Sequence, residues 1–182
     1  MSHKSALLSR EDCVLVVIDV QEKLMRVMSE RDKVAENVLK LVQFAGIIGL
    51  PVIFTEQEKL GTTLPGILAE APGAQPVGKI TFDCFASQEF RARLKDLKRR
   101  TLLLCGVEAH ICVAQTALGG LKDYEVQVVS DAISSRSLHN WVIAVERMRS
   151  CGAVITSTEM AMYELLRQAG TEEFKATLPL VK

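Results

Sequence analysis

Five short apolar segments rich in valine and isoleucine constrain the fold of this 182-residue chain more than any other feature of its sequence. They are VLVVI at 14–18, PVIFT at 51–55, TLLLCGV at 101–107, VQVVS at 126–130 and AVIT at 153–156. The segments are continuous rather than alternating, which is typical of strands that are buried on both faces. A weaker strand is expected near 76–80.

Helical patterns separate these segments. The longest covers residues 32–48, where apolar residues recur at spacings of three and four, and Gly49 ends it. The other expected helices cover 87–98, 110–122, 137–150 and 156–168, with a last helical turn at 171–176. Strands that alternate with helices indicate an α/β chain with a parallel sheet and helices on both of its faces. We expect one domain, residues 1–182.

Composition excludes several classes of function. The chain has 22 basic and 22 acidic residues and no net charge, whereas nucleic-acid binders usually carry a basic excess. We find no secretory signal and no apolar stretch long enough to span a membrane. Five cysteines without a C-x-x-C pair indicate free thiols in a reducing compartment. We therefore expect a cytoplasmic protein that binds neither nucleic acid nor membrane.

Reactive side chains follow three of the predicted strands. Asp19 follows the first strand, Lys79 ends the weak strand, and Cys112 opens the helix after the segment 101–107. Ligands in open parallel sheets bind beyond the carboxyl ends of the strands. The topology can therefore bring a carboxylate, an amine and a thiol to one rim of the sheet.

Each of these residues also has a structural alternative. A free cysteine is most often a small buried hydrophobic residue, although a helix N-terminus and a cation such as Lys79 would lower the pKa of Cys112. Asp19 can be a helix N-cap, but a carboxylate after five apolar residues needs a partner such as Lys79. Lys79 alone is most often a solvated surface lysine. On position alone, Cys112 is as readily a buried filler as a nucleophile.

Five further residues near the rim are candidates for substrate binding. They are Gln21, Gln57, Phe82, Phe85 and Ile111. Gln21 follows Asp19 on the same side of the chain, and Gln57 follows the second strand. The two phenylalanines can form pocket walls, but they can equally be core residues.

The chain resembles the isochorismatase-like cysteine hydrolases, a superfamily that includes nicotinamidases and N-carbamoylsarcosine amidase. The resemblance lies in VLVVIDVQEKL at 14–24, GKITFDCF at 78–85 and LLLCGVEAHICVAQTAL at 102–118, and it extends through VVSDAISSRS at 128–137. The segment EQEKLG at 56–61 and the SDAISSRS stretch are most similar to the isochorismatase domain-containing group.

This resemblance implies a three-layer α/β/α Rossmann-like fold with a six-stranded parallel sheet. It implies a catalytic triad of Asp19, Lys79 and Cys112, in which Lys79 keeps Asp19 ionised and favours the thiolate. It also implies a cis peptide bond between Val107 and Glu108, which directs the backbone N–H groups of Glu108 and Cys112 at an oxyanion. The implied reaction is hydrolysis of a small amide or related C–N substrate through a thioester.

The sequence departs from the superfamily at three points. Nicotinamidases have an Asp-x-His metal motif after the second strand, whereas TEQEKLGTTL at 55–64 contains no histidine. We therefore expect no catalytic metal, no cofactor and no nicotinamidase activity. Isochorismatases proper hydrolyse a vinyl ether, a substrate for which the full triad gives no support. Ala109 stands where a threonine is common, which alters the pocket floor.

Two other functions compete with hydrolysis. One is a binding or scaffolding module with slow or no turnover, and the other is a redox role for a low-pKa Cys112. Relatives of this fold usually form dimers or tetramers. We therefore expect a homo-oligomer with a small-molecule substrate, and the helices at 110–122 and 137–150 are candidate interface elements.

Overall fold

The computed structural model describes residues 7–182 and contains, within that range, one six-stranded sheet. Its strands are β1 (Cys13–Ile18), β2 (Val52–Gln57), β3 (Val77–Lys79), β4 (Thr101–Val107), β5 (Glu125–Ser134) and β6 (Val154–Thr156). All neighbouring strands are parallel, and their order is β3-β2-β1-β4-β5-β6. Every predicted strand is present, and β5 continues to Ser134, beyond the predicted end at residue 130.

Helices connect the strands. They are α1 (Glu22–Met25), α2 (Arg31–Ile48), α3 (Pro65–Leu68), α4 (Gln88–Leu97), α5 (Ala114–Gly120), α6 (Leu138–Ser150), α7 (Thr158–Leu166) and α8 (Glu172–Val181). The predicted helix at 110–122 is divided into a π-helical segment, Ala109–Val113, followed by α5. The predicted last turn is the longer helix α8, whereas α1 and α3 were not predicted. No helix among the described residues is long and apolar enough to cross a membrane.

Two apolar clusters fill the two sides of the sheet, which gives the predicted three-layer α/β/α arrangement. Leu15 and Val17 of β1 pack on the side of α2, α7 and α8. Val14, Val16 and Ile18 alternate with them and pack on the side of α4, α5 and α6. Burying such a side chain contributes about 1.5–3 kcal/mol, so both faces of β1 stabilise the fold and its sequence is apolar throughout.

The ends of β1 and β4 approach each other closely. Gly106 pairs with Ile18 and has a φ of 115°, and a Cβ atom at Gly106 would lie 2.0 Å from the Ile18 carbonyl oxygen. Only glycine fits there. The strand order also reverses here, because the chain runs outward from β1 to β3 and then returns to β4. Ligands of open α/β sheets bind at such a switch point.

Candidate active site

Asp19 lies directly after β1, at the switch point, and is completely buried. Its φ is 52°, a conformation that is uncommon outside glycine and that is concentrated at functional sites. The N-cap alternative for Asp19 is wrong, because the N-cap residue of α1 is Gln21. The Asp19 carboxylate instead binds side chains from other strands.

Both carboxylate oxygens of Asp19 accept hydrogen bonds from buried side chains. Lys79 Nζ donates to Oδ2 over 2.6 Å, and Thr55 Oγ1 donates to Oδ1 over 2.7 Å. Lys79 is therefore not the solvated surface lysine that its residue type favours. The ion pair with Lys79 compensates the cost of burying the Asp19 charge.

Thr55 is a site residue that the sequence analysis missed. It lies on β2, and the parallel register places it opposite Ile18, one residue before Asp19. In the sequence, the role of Thr55 is indicated by its polar side chain at the end of the apolar segment 51–55. The register between β1 and β2 was needed to interpret that signal.

The ammonium group of Lys79 has three acceptors. They are Oδ2 of Asp19 at 2.6 Å, Oε1 of Gln57 at 3.1 Å and the carbonyl oxygen of Thr81 at 3.3 Å. Three acceptors match the three N–H donors of a lysine side chain. Burial opposes the charged form, but the Asp19 carboxylate and the nearby thiols outweigh it and raise the pKa of Lys79. Lys79 is thus a fixed positive charge.

Cys112 lies in the π-helical segment after β4, and only 6% of its surface is exposed. Burial, followed by the Asp19 carboxylate, raises the pKa of the Cys112 thiol, whereas Lys79 lowers it. The net direction is upward, so the expectation of a lowered pKa is wrong, because Lys79 is outweighed. The resting side chain is a neutral thiol beside a carboxylate.

The strand β4 leads into the segment that carries Cys112 through a cis peptide bond between Val107 and Glu108, at the position that the resemblance implied. The Glu108 side chain is buried, and its Oε2 accepts hydrogen bonds from the backbone N and Nε of Arg136, both over 3.1 Å. Arg136 belongs to the SDAISSRS stretch and lies two residues after the end of β5. The Glu108–Arg136 contacts therefore fix the start of the Cys112 segment against the end of β5.

Gln21 and Gln57 are connected to each other and to Lys79. Gln21 is completely buried, its Nε2 donates to the carbonyl oxygens of Gln57 and Gly61, and its Oε1 accepts from the Gln57 N–H. Gln57 in turn accepts from Lys79 through Oε1 and donates to the Ile80 carbonyl through Nε2. Both predicted substrate-binding glutamines thus have their amides engaged within the protein.

The two predicted pocket phenylalanines lie in different environments. The ring of Phe85 contacts those of Phe90 and Tyr124, with centroids 5.4 and 5.6 Å apart, which matches the core alternative. Phe82 is 50% exposed and not part of either apolar cluster. Ile111 is partly buried and packs against the cluster on the α5 side.

No group of three histidine, cysteine, aspartate or glutamate residues within 7–182 is arranged to hold a metal ion. The half-buried His110 is held by other side chains, with Nδ1 2.9 Å from Ser135 Oγ and Nε2 3.4 Å from Asn140 Nδ2. The chemistry that the arrangement offers is that of a thiol, a carboxylate and a fixed cation.

Comparison with known proteins finds the same architecture and similar sequences. A family model for the isochorismatase domain matches residues 13–160. The secreted isochorismatase effector Isc1 of Phytophthora sojae is 38% identical over 176 residues, which cover 93% of this chain and 84% of that protein. Isochorismatase domain-containing protein 2 of Danio rerio is 34% identical over 172 residues, 92% of this chain and 86% of that protein.

Three solved structures extend the comparison to nearly the whole chain. The MAR1 ribonuclease of Caenorhabditis elegans has a TM-score of 0.91 and 30% identity, and the match covers 97% of this chain and 92% of that chain. YcaC of Pseudomonas aeruginosa, solved with hexane-2,5-diol and covalent acrylamide, has a TM-score of 0.91 and 25% identity, with 99% and 93% covered. YcaC of Escherichia coli, described as an octameric hydrolase of unknown specificity, has a TM-score of 0.91 and 26% identity, with 98% and 91% covered.

Proposed function

Because the chain belongs to the isochorismatase family and has its hydrolase fold, we propose that it is a metal-independent cysteine hydrolase. Its proposed substrates are small amides or related C–N compounds. Cys112 is the nucleophile, Asp19 moves the protons, and Lys79 keeps Asp19 charged. The site is part of a single domain, of which the structure describes residues 7–182. No resident cofactor takes part.

One observation carries the proposal: a buried carboxylate faces both a fixed cation and a thiol. Lys79 and Thr55 each occupy one oxygen of Asp19, and the same carboxylate is the strongest charged influence on the Cys112 thiol. A general base must be near the proton that it takes, and a thiol becomes a strong nucleophile only when it loses that proton. The position of the Asp19 carboxylate beside the thiol supports its role as the group that takes the proton.

The first half of the proposed reaction forms a thioester. The Cys112 sulfur bonds to the carbonyl carbon while the thiol proton passes to Asp19. The carbonyl oxygen becomes an oxyanion, which the backbone N–H groups of Glu108 and Cys112 stabilise; losing one such donor costs about 2.7–4 kcal/mol. When the C–N bond breaks, Asp19 returns its proton to the leaving nitrogen.

The second half hydrolyses the thioester. Asp19, again ionised, takes a proton from a water molecule, whose oxygen bonds to the thioester carbon. The C–S bond then breaks, the acid leaves, and the proton on Asp19 returns to the sulfur. Lys79 remains protonated throughout, since its three N–H groups are bound and its pKa is raised.

The Pseudomonas YcaC structure gives independent support for a reactive group in this fold, because that protein was solved with covalently bound acrylamide. Acrylamide reacts with thiols at its carbon–carbon double bond, so the adduct is evidence for a reactive group and not for amide hydrolysis. The scaffolding and redox alternatives find no comparable support. The burial of Cys112 also opposes a redox role, which needs a thiol that is accessible to oxidants.

The test is hydrolysis of a panel of small amides, carbamoyl compounds and a short RNA, the last because the Caenorhabditis relative is named a ribonuclease. Cys112→Ala is expected to abolish turnover of every substrate that the wild type hydrolyses. The matched control is Cys151→Ala, since Cys151 is exposed and distant in sequence from the triad. Hydrolysis that survives in Cys112→Ala would refute the proposed nucleophile.

We also propose that the protein is a homo-oligomer that works inside the cell. Escherichia coli YcaC is octameric, and α6 exposes Leu138, Val142 and Ile143 on its surface. Leu138 and Trp141 line a cavity of about 200 Å³ beside the end of β5, which gives a partner subunit a recess. All five cysteines are free, which suits a reducing compartment, although the Phytophthora relative is a secreted protein.

A further inference from the structure

We infer that Gln57 is a positioning residue for the Lys79 ammonium and that Gln21 acts through it by fixing the Gln57 backbone. This inference rests on the proposed function, because the position of Lys79 matters for the chemistry of Asp19 and Cys112. It gives the two glutamines a role other than the substrate binding that their sequence positions favoured.

The orientation of the Gln57 amide follows from its two partners. Its Nε2 donates to the Ile80 carbonyl oxygen over 2.9 Å, so the donor end of the amide is occupied. The acceptor end must then face Lys79, whose Nζ lies 3.1 Å from Oε1. Of the three acceptors of Lys79, Gln57 is the neutral side chain, whereas Asp19 is charged and Thr81 offers its backbone.

Gln21 holds the backbone of Gln57 from both sides. Its Oε1 accepts from the Gln57 N–H over 2.8 Å, and its Nε2 donates to the Gln57 carbonyl oxygen over 2.9 Å. The same Nε2 lies 2.5 Å from the Gly61 carbonyl oxygen. Because Gln21 is completely buried and lies two residues after Asp19, it ties the residue that holds the cation to the strand end that carries the base.

A second set of hydrogen bonds, between Glu56 and Thr63, holds the turn after Gln57. Glu56 Oε1 accepts from the backbone N of Thr63 over 2.7 Å and from its Oγ1 over 2.8 Å, and residue 63 forms a bridge with Gln21. The segment from 57 to 63 is thus closed at both ends. A substitution at Gln57 changes its side chain while this frame remains, so the side-chain contact can be tested separately.

The direction of the effect follows from the charges around the thiol. The titratable groups that act on Cys112 are Asp19, Lys79 and Cys84, and among them Lys79 favours the thiolate. When Gln57 no longer holds the Lys79 ammonium, that group moves and stabilises the Cys112 thiolate less. A smaller fraction of Cys112 is then thiolate, and alkylation is slower. A merely structural loosening would have the opposite result, because it would expose the buried Cys112 and speed its alkylation.

The experiment measures the rate of Cys112 alkylation by iodoacetamide between pH 7 and 10, with mass mapping, in a Cys151→Ala background. Gln57→Met is expected to slow alkylation about threefold or more at each pH, which corresponds to weakening part of a charge interaction. Gln21→Met is expected to slow it similarly, and the double variant no more than Gln57→Met alone, because Gln21 acts through Gln57. Gln168→Met, at an exposed glutamine, is the control and leaves the rate unchanged.

An unchanged or faster rate in Gln57→Met overturns the inference, and additive effects in the double variant overturn the coupling to Gln21. If Gln21→Met fails to fold, Gln57→Met and Gln57→Asn decide the positioning role. With a hydrolysed substrate, Gln57→Met is expected to lower kcat and leave KM unchanged, whereas a raised KM alone identifies a substrate contact instead. Failure of the hydrolase proposal is seen separately, as turnover that persists in Cys112→Ala.

Discussion

The Nζ atom of Lys79 lies 2.6 Å from Oδ2 of Asp19, and the two side chains are 1% and 0% exposed. Such a pair gains little from its formation, because the loss of hydration offsets the attraction between the charges. Removing one partner destabilises the folded protein, since it leaves the other charge buried without compensation. The pair is therefore expected to appear in stability measurements as well as in catalysis.

Lys79→Met is expected to lower the free energy of unfolding by about 3–5 kcal/mol at neutral pH, because it leaves the Asp19 carboxylate buried without its cation. Urea denaturation followed by circular dichroism measures the change. Adding Asp19→Asn to Lys79→Met is expected to restore part of the loss. Lys175→Met breaks an exposed pair with Glu172 and serves as the control, with little effect. Equal losses in the two single variants would contradict the prediction.

Asp19→Asn is expected to separate thiol reactivity from turnover. Burial raises the pKa of the Cys112 thiol most, and the Asp19 carboxylate raises it further because it disfavours a neighbouring thiolate. Removing that charge while Lys79 remains lowers the pKa, so alkylation of Cys112 at pH 8 becomes about tenfold faster or more. Hydrolysis is lost at the same time, because the base is gone. Iodoacetamide kinetics in a Cys151→Ala background measure the first effect, and slower alkylation would contradict it.

Gly106→Ala is expected to destabilise the protein by several kcal/mol or to prevent folding, because the added Cβ meets the Ile18 backbone and the φ of 115° disfavours a side chain. The control is Gly46→Ala, at an exposed position in the last turn of α2, where a Cβ meets nothing within 4 Å. That variant is expected to stabilise by about 0.5–1 kcal/mol. Thermal melts of both variants decide the comparison, and a Gly106→Ala protein of wild-type stability would be inconsistent with the close approach.

Val142→Arg is expected to dissociate the homo-oligomer, because it places a charge on the exposed apolar surface of α6. Multi-angle light scattering at micromolar concentration gives the mass of the wild type and of the variant. Met160→Arg is the control, since Met160 is also an exposed apolar residue but lies on α7, in the opposite helical layer. A monomeric wild type, or a Val142→Arg variant of unchanged mass, would remove α6 from the interface.

The strands were predictable because each central strand is buried on both faces and is therefore apolar throughout. The segment 101–107 coincides with β4. The end of β5 was predicted too early because the apolar segment ends at the polar residues Ser130 and Asp131. In the structure its Oδ1 accepts from the backbone N and Oγ1 of Thr158, over 2.8 and 3.0 Å, so the carboxylate stabilises the start of α7 from within the strand.

The proximity of Asp19 and Lys79 was also predictable. Both lie at the carboxyl ends of strands in one parallel sheet, and a buried carboxylate needs a cation. What the sequence does not contain is the direction in which each side chain points. Thr55 and the two bonds of Gln21 to the Gln57 backbone depend on the register of β1, β2 and β3. The pKa of Cys112 was expected to fall because the sequence indicates a nearby cation but not the burial of the thiol. That burial is a property of the assembled layers, and its effect on the pKa outweighs that of Lys79.

The strand order reverses between β1 and β4, and the proposed site is therefore built from two separate stretches of the chain. The charged part, Asp19 with Lys79, comes from the first three strands, whereas the thiol of Cys112 comes only after β4. Within the sheet, β1 of the first part pairs with β4 of the second, and at this seam Gly106 lies against Ile18. A slip of one residue along that seam displaces the thiol by about 3.3 Å, more than the length of a hydrogen bond. The close approach of Gly106 to Ile18 therefore helps to set the spacing between the Cys112 thiol and the Asp19 carboxylate.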